Sequence, residues 1–251
     1  VLKACAYESL NATEADFSAL RPFRSPHHTS TRSSIFGGGS SVAKIGEVAL
    51  ANGGILFFDE LPHFGSNILE SLREPLQDNR INISRVNSKI SYDTKFFFFV
   101  SMNPCPCGNA LNTELVCTCS PKDIKRYKAS ISGALMDRID LYVLMSSQID
   151  KTNAGLDSGA MSELVMRGFR AQISRGQSEL NGKLDEADIA KYCLCDKAAL
   201  DVIQRAASTY NLRQRAINKT LKVARTIADI AQNEIIAKEH ALEALGYRFR
   251  A

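Results

Sequence analysis

Two groups of residues carry side chains suited to chemistry. Asp59 and Glu60 directly follow Ile55-Leu56-Phe57-Phe58. Asn52-Gly53-Gly54 before this run and Leu61-Pro62 after it bound it as a strand. A strand apolar on both faces belongs inside a parallel sheet. Such sheets bind ligands outside the carboxyl ends of their strands. Two carboxylates there can hold magnesium and activate water, as in a nucleotidase. Taken alone, the hexamer fits equally well a core strand running into a helix start, where Asp and Glu suit the first turn. The second group is Cys105-Pro106-Cys107 with Cys117-Thr118-Cys119. Four thiolates can close a tetrahedral zinc site that keeps no open position, which makes it structural rather than catalytic. The commoner spacing is C-x-x-C, and free thiols are the alternative.

The elements around these residues follow from periodicity and punctuation. Arg21-Pro22-Phe23-Arg24-Ser25-Pro26-His27-His28 is extended, because each proline disfavours helix before it. Adjacent His27 and His28 need not share a face and read as loop or hairpin residues. Gly37-Gly38-Gly39-Ser40 reads as a turn; no Lys-Ser or Lys-Thr follows to make it a phosphate loop. Val1–Leu10 reads as helix, as does Asn67–Leu76, the latter with Pro75 as a kink or early stop. Alternation in Ile81–Ser84 and Lys89–Tyr92 predicts a β-hairpin. Phe96–Val100 is a second wholly apolar strand and ends in Ser101-Met102-Asn103. Two buried strands thus deliver polar tips to one sheet edge. A third short strand is expected at Leu141–Leu144. Ser146 to about Ser162 has linker composition. Helical spacing then covers Leu184–Cys195, Lys197–Tyr210, Arg213–Gln232 and His240–Leu245. The expected organisation is an α/β domain over 1–147 and an all-helical domain over 148–251.

Bulk properties bound the class. With 251 residues there is room for one large or two modest domains, and 45% hydrophobic with 23% charged residues is a globular balance. A net charge of +4 neither establishes nor excludes nucleic-acid binding, although 31 basic residues could form a local patch. Phe96–Val100 is far too short to span a bilayer. Seven cysteines, an odd number with four of them crowded together, suit a reducing, cytoplasmic compartment better than a disulfide framework.

Several longer motifs occur in order: Arg21-Pro-Phe-Arg-Ser-Pro-His-His, Gly37-Gly-Gly-Ser, Gly46-Glu-Val-Ala-Leu-Ala, Phe57-Phe-Asp-Glu-Leu-Pro and Met102-Asn-Pro-Cys-Pro-Cys-Gly. Ser132-Gly-Ala-Leu-Met-Asp-Arg-Ile-Asp-Leu and Val223-Ala-Arg-Thr-Ile-Ala-Asp complete the set. Across nearly its whole length the chain resembles the bacterial magnesium-chelatase-like AAA+ ATPases of the ComM/YifB family. The resemblance implies a P-loop NTPase (AAA+) parallel-sheet core followed by a helical lid domain.

It also implies roles. Asp59 would hold Mg2+ through water, and Glu60 would polarise the attacking water. Asn103 would read the γ-phosphate as a sensor. Arg138 would act as the arginine finger toward a neighbouring subunit's ATP. Arg215 would be the lid's sensor arginine, with Arg213 as a competitor for that place. Read without the resemblance, Arg138 between Asp137 and Asp140 is a structural ion pair, Arg215 a solvated helix residue, and Asn103 before Pro104 a turn initiator.

The family's phosphate loop, G-x-x-x-x-G-K-[ST], is missing from the 251 residues. Gly176 to Gly182-Lys183-Leu184 has the wrong spacing, and Leu where the magnesium-binding hydroxyl belongs. With Val1 as its first residue, the chain reads as the C-terminal part of an N-terminally incomplete ATPase core that by itself does not hydrolyse ATP. The implied whole is a hexameric, cytoplasmic motor acting on DNA, of the kind that drives branch migration in natural transformation and recombination. Segments around Phe23–Ser41 and Ile81–Tyr92 resemble the family's pore hairpins, where Arg80, Arg85 and Lys89 would meet DNA phosphates. The alternative is a chelatase-type or chaperone-like ATPase that remodels a protein partner.

Overall fold

A three-stranded parallel sheet carries the acidic pair. The computed structural model describes residues 20–38, 44–84, 89–112, 114–145 and 155–248. In the sheet, β1 (Phe23–Arg24) pairs with β2 (Ile55–Phe58), and β2 pairs with β5 (Phe97–Val100) in the register Ile55↔Phe97 through Phe58↔Val100. β2 is therefore the middle strand, as its apolar run predicts. The approach of β1 to β2 needs a residue without Cβ at Gly54: a Cβ there would stand 1.9 Å from the Pro22 carbonyl oxygen. That oxygen accepts the Ile55 N–H at 2.8 Å.

Between β1 and β2 lie α1 (Arg32–Phe36) and α2 (Glu47–Leu50). Of the hairpin expected around Phe23–Ser41, residues 39–41 lie outside those described. Phe23–Arg24 is drawn into the parallel sheet, and Thr31 caps α1 by accepting the Ser34 N–H at 3.2 Å. Gly38 and Lys44 bridge antiparallel, and the residues between them lie outside those described. After β2 come α3 (Ser66–Ser71) and α4 (Arg73–Asp78), which break at Leu72. Pro75 explains the break: it has no N–H to donate and its ring opposes the carbonyl four residues earlier, at Ser71. The expected hairpin forms, with β3 (Arg80–Ser84) antiparallel to β4 (Lys89–Asp93). Past β5 the chain runs through a long loop into α5 (Pro121–Ala129) and α6 (Gly133–Met136).

Ile35, Val48, Leu56, Phe58, Leu61, Leu69, Leu72 and Leu135 form the core on one face of the sheet. The other face differs from expectation. Phe97 and Phe99 are 62% and 53% exposed, because no described element covers them. Phe96, Phe98 and Val100 are half-buried against the core, and the other face of this strand is exposed.

The chain divides into two compact units between Ile139 and Asp140. The second contains α7 (Ser158–Ser174), α8 (Glu186–Tyr192), α9 (Lys197–Thr209), α10 (Gln214–Ile230) and α11 (Lys238–Gly246). Asp157, Asp185 and Asp196 cap α7, α8 and α9 by accepting the N–H three residues on. α10 packs against both α7 and α11. The expected linker to Ser162 is shorter, because the Asp157 cap starts α7 at Ser158. The strand expected at Leu141–Leu144 does not form. Tyr142 donates its N–H to the Tyr247 carbonyl at 2.9 Å, and Leu141, Val143 and Leu144 are exposed, with no described strand paired to them. The predicted helix Val1–Leu10 lies outside the described residues.

Candidate functional site

The parallel pairing of β2 and β5 ends both strands at the same edge, so the residues that follow them meet. The Ser101 N–H donates to the Phe58 carbonyl at 3.0 Å, and the Leu61 N–H donates to the Ser101 carbonyl at 3.0 Å. The Ser101 hydroxyl donates to Asp59 Oδ1. The Glu60 N–H donates to the same Oδ1 at 3.0 Å and lies 3.3 Å from Ser101 Oγ. Ser101 therefore joins the two strand tips through both its backbone and its side chain. Sequence reasoning placed Ser101 at the tip without giving it this role.

Glu60 takes the left-handed conformation (φ 52°, ψ 52°). For a residue with a Cβ this costs on the order of 1–2 kcal/mol. The turn lets Leu61 drop into the core at 0% exposure while the Glu60 carboxylate stays in solvent. His28 Nδ1 lies 4.0 Å from Glu60 Oε2. The rings of His27 and His63 stand 4.1 and 5.8 Å from that of His28. His63 sits three residues past Glu60, on the single turn Leu61–His63, and sequence reasoning missed it. Tyr127, on α5, closes this side with its ring 6.3 Å from His63. Burial pushes its hydroxyl pKa up, a bond from the Asn103 backbone opposes that, and the nearby Glu60 charge adds to it.

Asn103 itself is exposed at the tip of β5. Arg138 lies elsewhere in the same unit, lining an open cleft of about 870 Å3 with Arg32, Arg73, Glu74 and Gln77. It donates to the carbonyls of Arg73 (3.3 Å) and Ala134 and to Gln77 Oε1 (2.6 Å). Asp140, in the second unit, pairs with Lys219 Nζ at 2.7 Å. In the helical unit Arg213 is the N-cap position of α10 and Arg215 lies in its first turn, both exposed. Arg80 begins β3 at the base of the hairpin, 69% exposed and 3.6 Å from Asp93. Arg85 lies outside the described residues, and only the backbone of Lys89 is described.

The four cysteines converge: Sγ of Cys105, Cys107, Cys117 and Cys119 all lie within 4.8 Å of one another. Backbone hydrogen bonds from Asn109 and Thr118 draw the Cys107 thiol down to about 5, while burial pushes Cys119 up to about 12.

The donor set at the sheet edge fits a hydrated Mg2+. Asp59 is exposed, and both of its hydrogen bonds fall on Oδ1, which leaves Oδ2 for the ion's water shell. A family model described as magnesium chelatase, subunit ChlI, matches residues 1–153, and one for the C-terminal part of that subunit matches residues 155–248. The chain belongs to the magnesium-chelatase-like AAA+ family of ComM and YifB. It is 38% identical over 234 residues to the competence protein ComM of Haemophilus influenzae and 37% identical over 233 residues to YifB of Escherichia coli. To YifB of Salmonella typhimurium it is 37% identical over 236 residues. Each match covers 91% of this chain and 45% of the relative, so the chain spans about half the length of the curated relatives it matches. Family membership makes the sheet unit an AAA+ α/β core and the helices after Ile139 its C-terminal unit. Among the described residues no helix is long and apolar enough to cross a membrane.

Proposed function

We propose that this chain forms the ATPase and lid core of a ring-forming AAA+ motor that acts on DNA. The observation that carries the reading is the shared edge of β2 and β5, where Ser101 holds Asp59 and Glu60 beside Asn103. In this reading Asp59 holds the magnesium hydration shell. Glu60, kept in solvent by its left-handed turn, orients the attacking water and receives its proton. Asn103 donates to the terminal phosphate. Magnesium ATP supplies the transferable phosphoryl group and the developing charge that these side chains face. Arg138 serves a neighbouring subunit, which makes the ring, in this family typically a hexamer, a condition of turnover. Arg215, or Arg213 beside it, reports the nucleotide from the helical unit.

DNA is the partner we assign. ComM is named a competence protein, and a branch-migrating motor in the cytoplasm suits the family to which this chain belongs. Arg80 on β3, Lys89 on β4 and Arg85 from the sequence between them would meet backbone phosphates, which makes binding fall steeply with salt. The test is ATP hydrolysis by the complete protein with and without single-stranded and branched DNA, with Glu60→Gln as control. DNA-stimulated turnover that vanishes in the variant supports the motor. Glu60-dependent turnover that ignores DNA transfers the reading to a chelatase-type or chaperone-like remodeller of a protein partner.

A further inference from the structure

The loop from Pro104 to Ser120 leaves the sheet at Asn103 and reaches α5 with little structure of its own. Its described residues contain one three-residue turn, Asn109–Leu111, and no strand. Leu111, Leu115 and Val116 are 62%, 58% and 85% exposed, so the loop buries little apolar surface. A structureless connection of this length in a compact unit calls for another source of order. Cys105, by contrast, is fully buried, and the other three thiols close around it.

The geometry points to a structural Zn2+ held by Cys105, Cys107, Cys117 and Cys119. Four sulfurs at about 2.3 Å from a tetrahedral zinc stand about 3.8 Å from one another. Here Cys105–Cys107, Cys107–Cys117 and Cys105–Cys117 are 3.4, 3.6 and 3.7 Å apart. These separations are too long for a disulfide, and an iron–sulfur cubane would hold the sulfurs further apart. The Cys107 N–H points at Cys119 Sγ from 3.4 Å, as the outer shell of a thiolate site requires. Metal binding releases the thiol protons to solvent. The ion ties the first turn of the loop to its last, and Ser120 follows at once as the cap of α5. The loop leaves the sheet at Asn103, and Tyr127 on the helix that follows the loop interacts with the Asn103 backbone.

The test is elemental analysis of the 251-residue chain purified without chelator, followed by exchange with Co2+ alone. One zinc per chain is expected, and a cobalt form with strong thiolate charge-transfer bands and tetrahedral d–d absorption. Cys107→Ser with Cys117→Ser should lose both, while Cys193→Ser with Cys195→Ser should keep both. If the first pair does not fold, hydrogen exchange of the native chain before and after chelation decides the matter. Exchange should rise at least tenfold in 104–120 and stay unchanged in β2. A folded chain free of metal, iron in place of zinc, or zinc retained by the Cys107/Cys117 variant would overturn the assignment, as would loop exchange that ignores chelation.

Discussion

The hydroxyl of Ser101 and the carboxylate of Asp59 are joined across two parallel strands that lie 42 residues apart in the chain. This bond and the Glu60 N–H fix the orientation of Oδ1. Ser101→Ala should therefore leave the fold intact and disturb the acidic edge. A net hydrogen bond of this kind is worth about 1 kcal/mol, somewhat more when charged. In the complete protein the half-saturating Mg2+ concentration for ATP turnover should rise by about five- to tenfold. Titrating turnover with Mg2+ checks this, and an unchanged curve would remove Ser101 from the site.

Glu60 combines a strained backbone with an exposed side chain. Replacing it by glycine relieves on the order of 1–2 kcal/mol of left-handed strain, offset by the roughly 0.5–1 kcal/mol that glycine's freedom in the unfolded state costs. Glu60→Gly should hold or slightly raise the thermal midpoint, whereas a glycine elsewhere usually lowers it. ATP turnover of the complete protein should be lost all the same. A clear drop in the midpoint would show that the turn is not strained.

Arg138 is anchored on Arg73, Ala134 and Gln77, partners that do not include the acidic pair. If it serves a neighbour, rings of Arg138→Ala subunits and rings of Glu60→Gln subunits should each be inactive, by roughly a thousandfold or more for the arginine. Mixing the two should restore part of the activity, because some sites then join an intact Glu60 to an intact Arg138. Mixed rings as inactive as either parent would rule out that Arg138 serves a neighbour.

The helical unit depends on a buried ionic network. Arg225 and Asp229 are 0% and 1% exposed and lie one turn apart on α10. Arg225 also donates to the carbonyls of Asn233 and Glu234, and Asp229 accepts from Arg175 and Asn181. Removing Asp229 leaves the buried Arg225 charge without its carboxylate, which costs about 3–5 kcal/mol. Asp229→Ala should lower the denaturant midpoint of this unit accordingly. Arg205→Ala, on α9 and exposed, serves as the control and should change it by less than about 0.5 kcal/mol.

Local rules settle much of this protein in advance. The apolar run before Asp59 predicts an inner strand, the alternation around Ile81 and Ile90 a hairpin, and the helical spacing after Leu184 helices. Each depends on neighbours within a few residues. The same rules mark Asp59, Glu60 and the four cysteines, because carboxylates after a buried strand and paired thiols stand out by type and spacing. Tertiary contact decided the rest. Leu141–Leu144 has strand composition, but a strand needs a neighbouring strand, and no described strand pairs with it. Ser158–Ser162 has linker composition, but the Asp157 cap starts a helix there. Ser101, His63 and Tyr127 are ordinary in sequence, and they matter only where parallel pairing and a left-handed turn at Glu60 bring them to one edge. Arg225 is buried because Asp229 and the carbonyls of Asn233 and Glu234 accept its N–H groups. A residue's type and near neighbours set its local conformation, whereas its partners come from chain segments that only folding brings within hydrogen-bond reach.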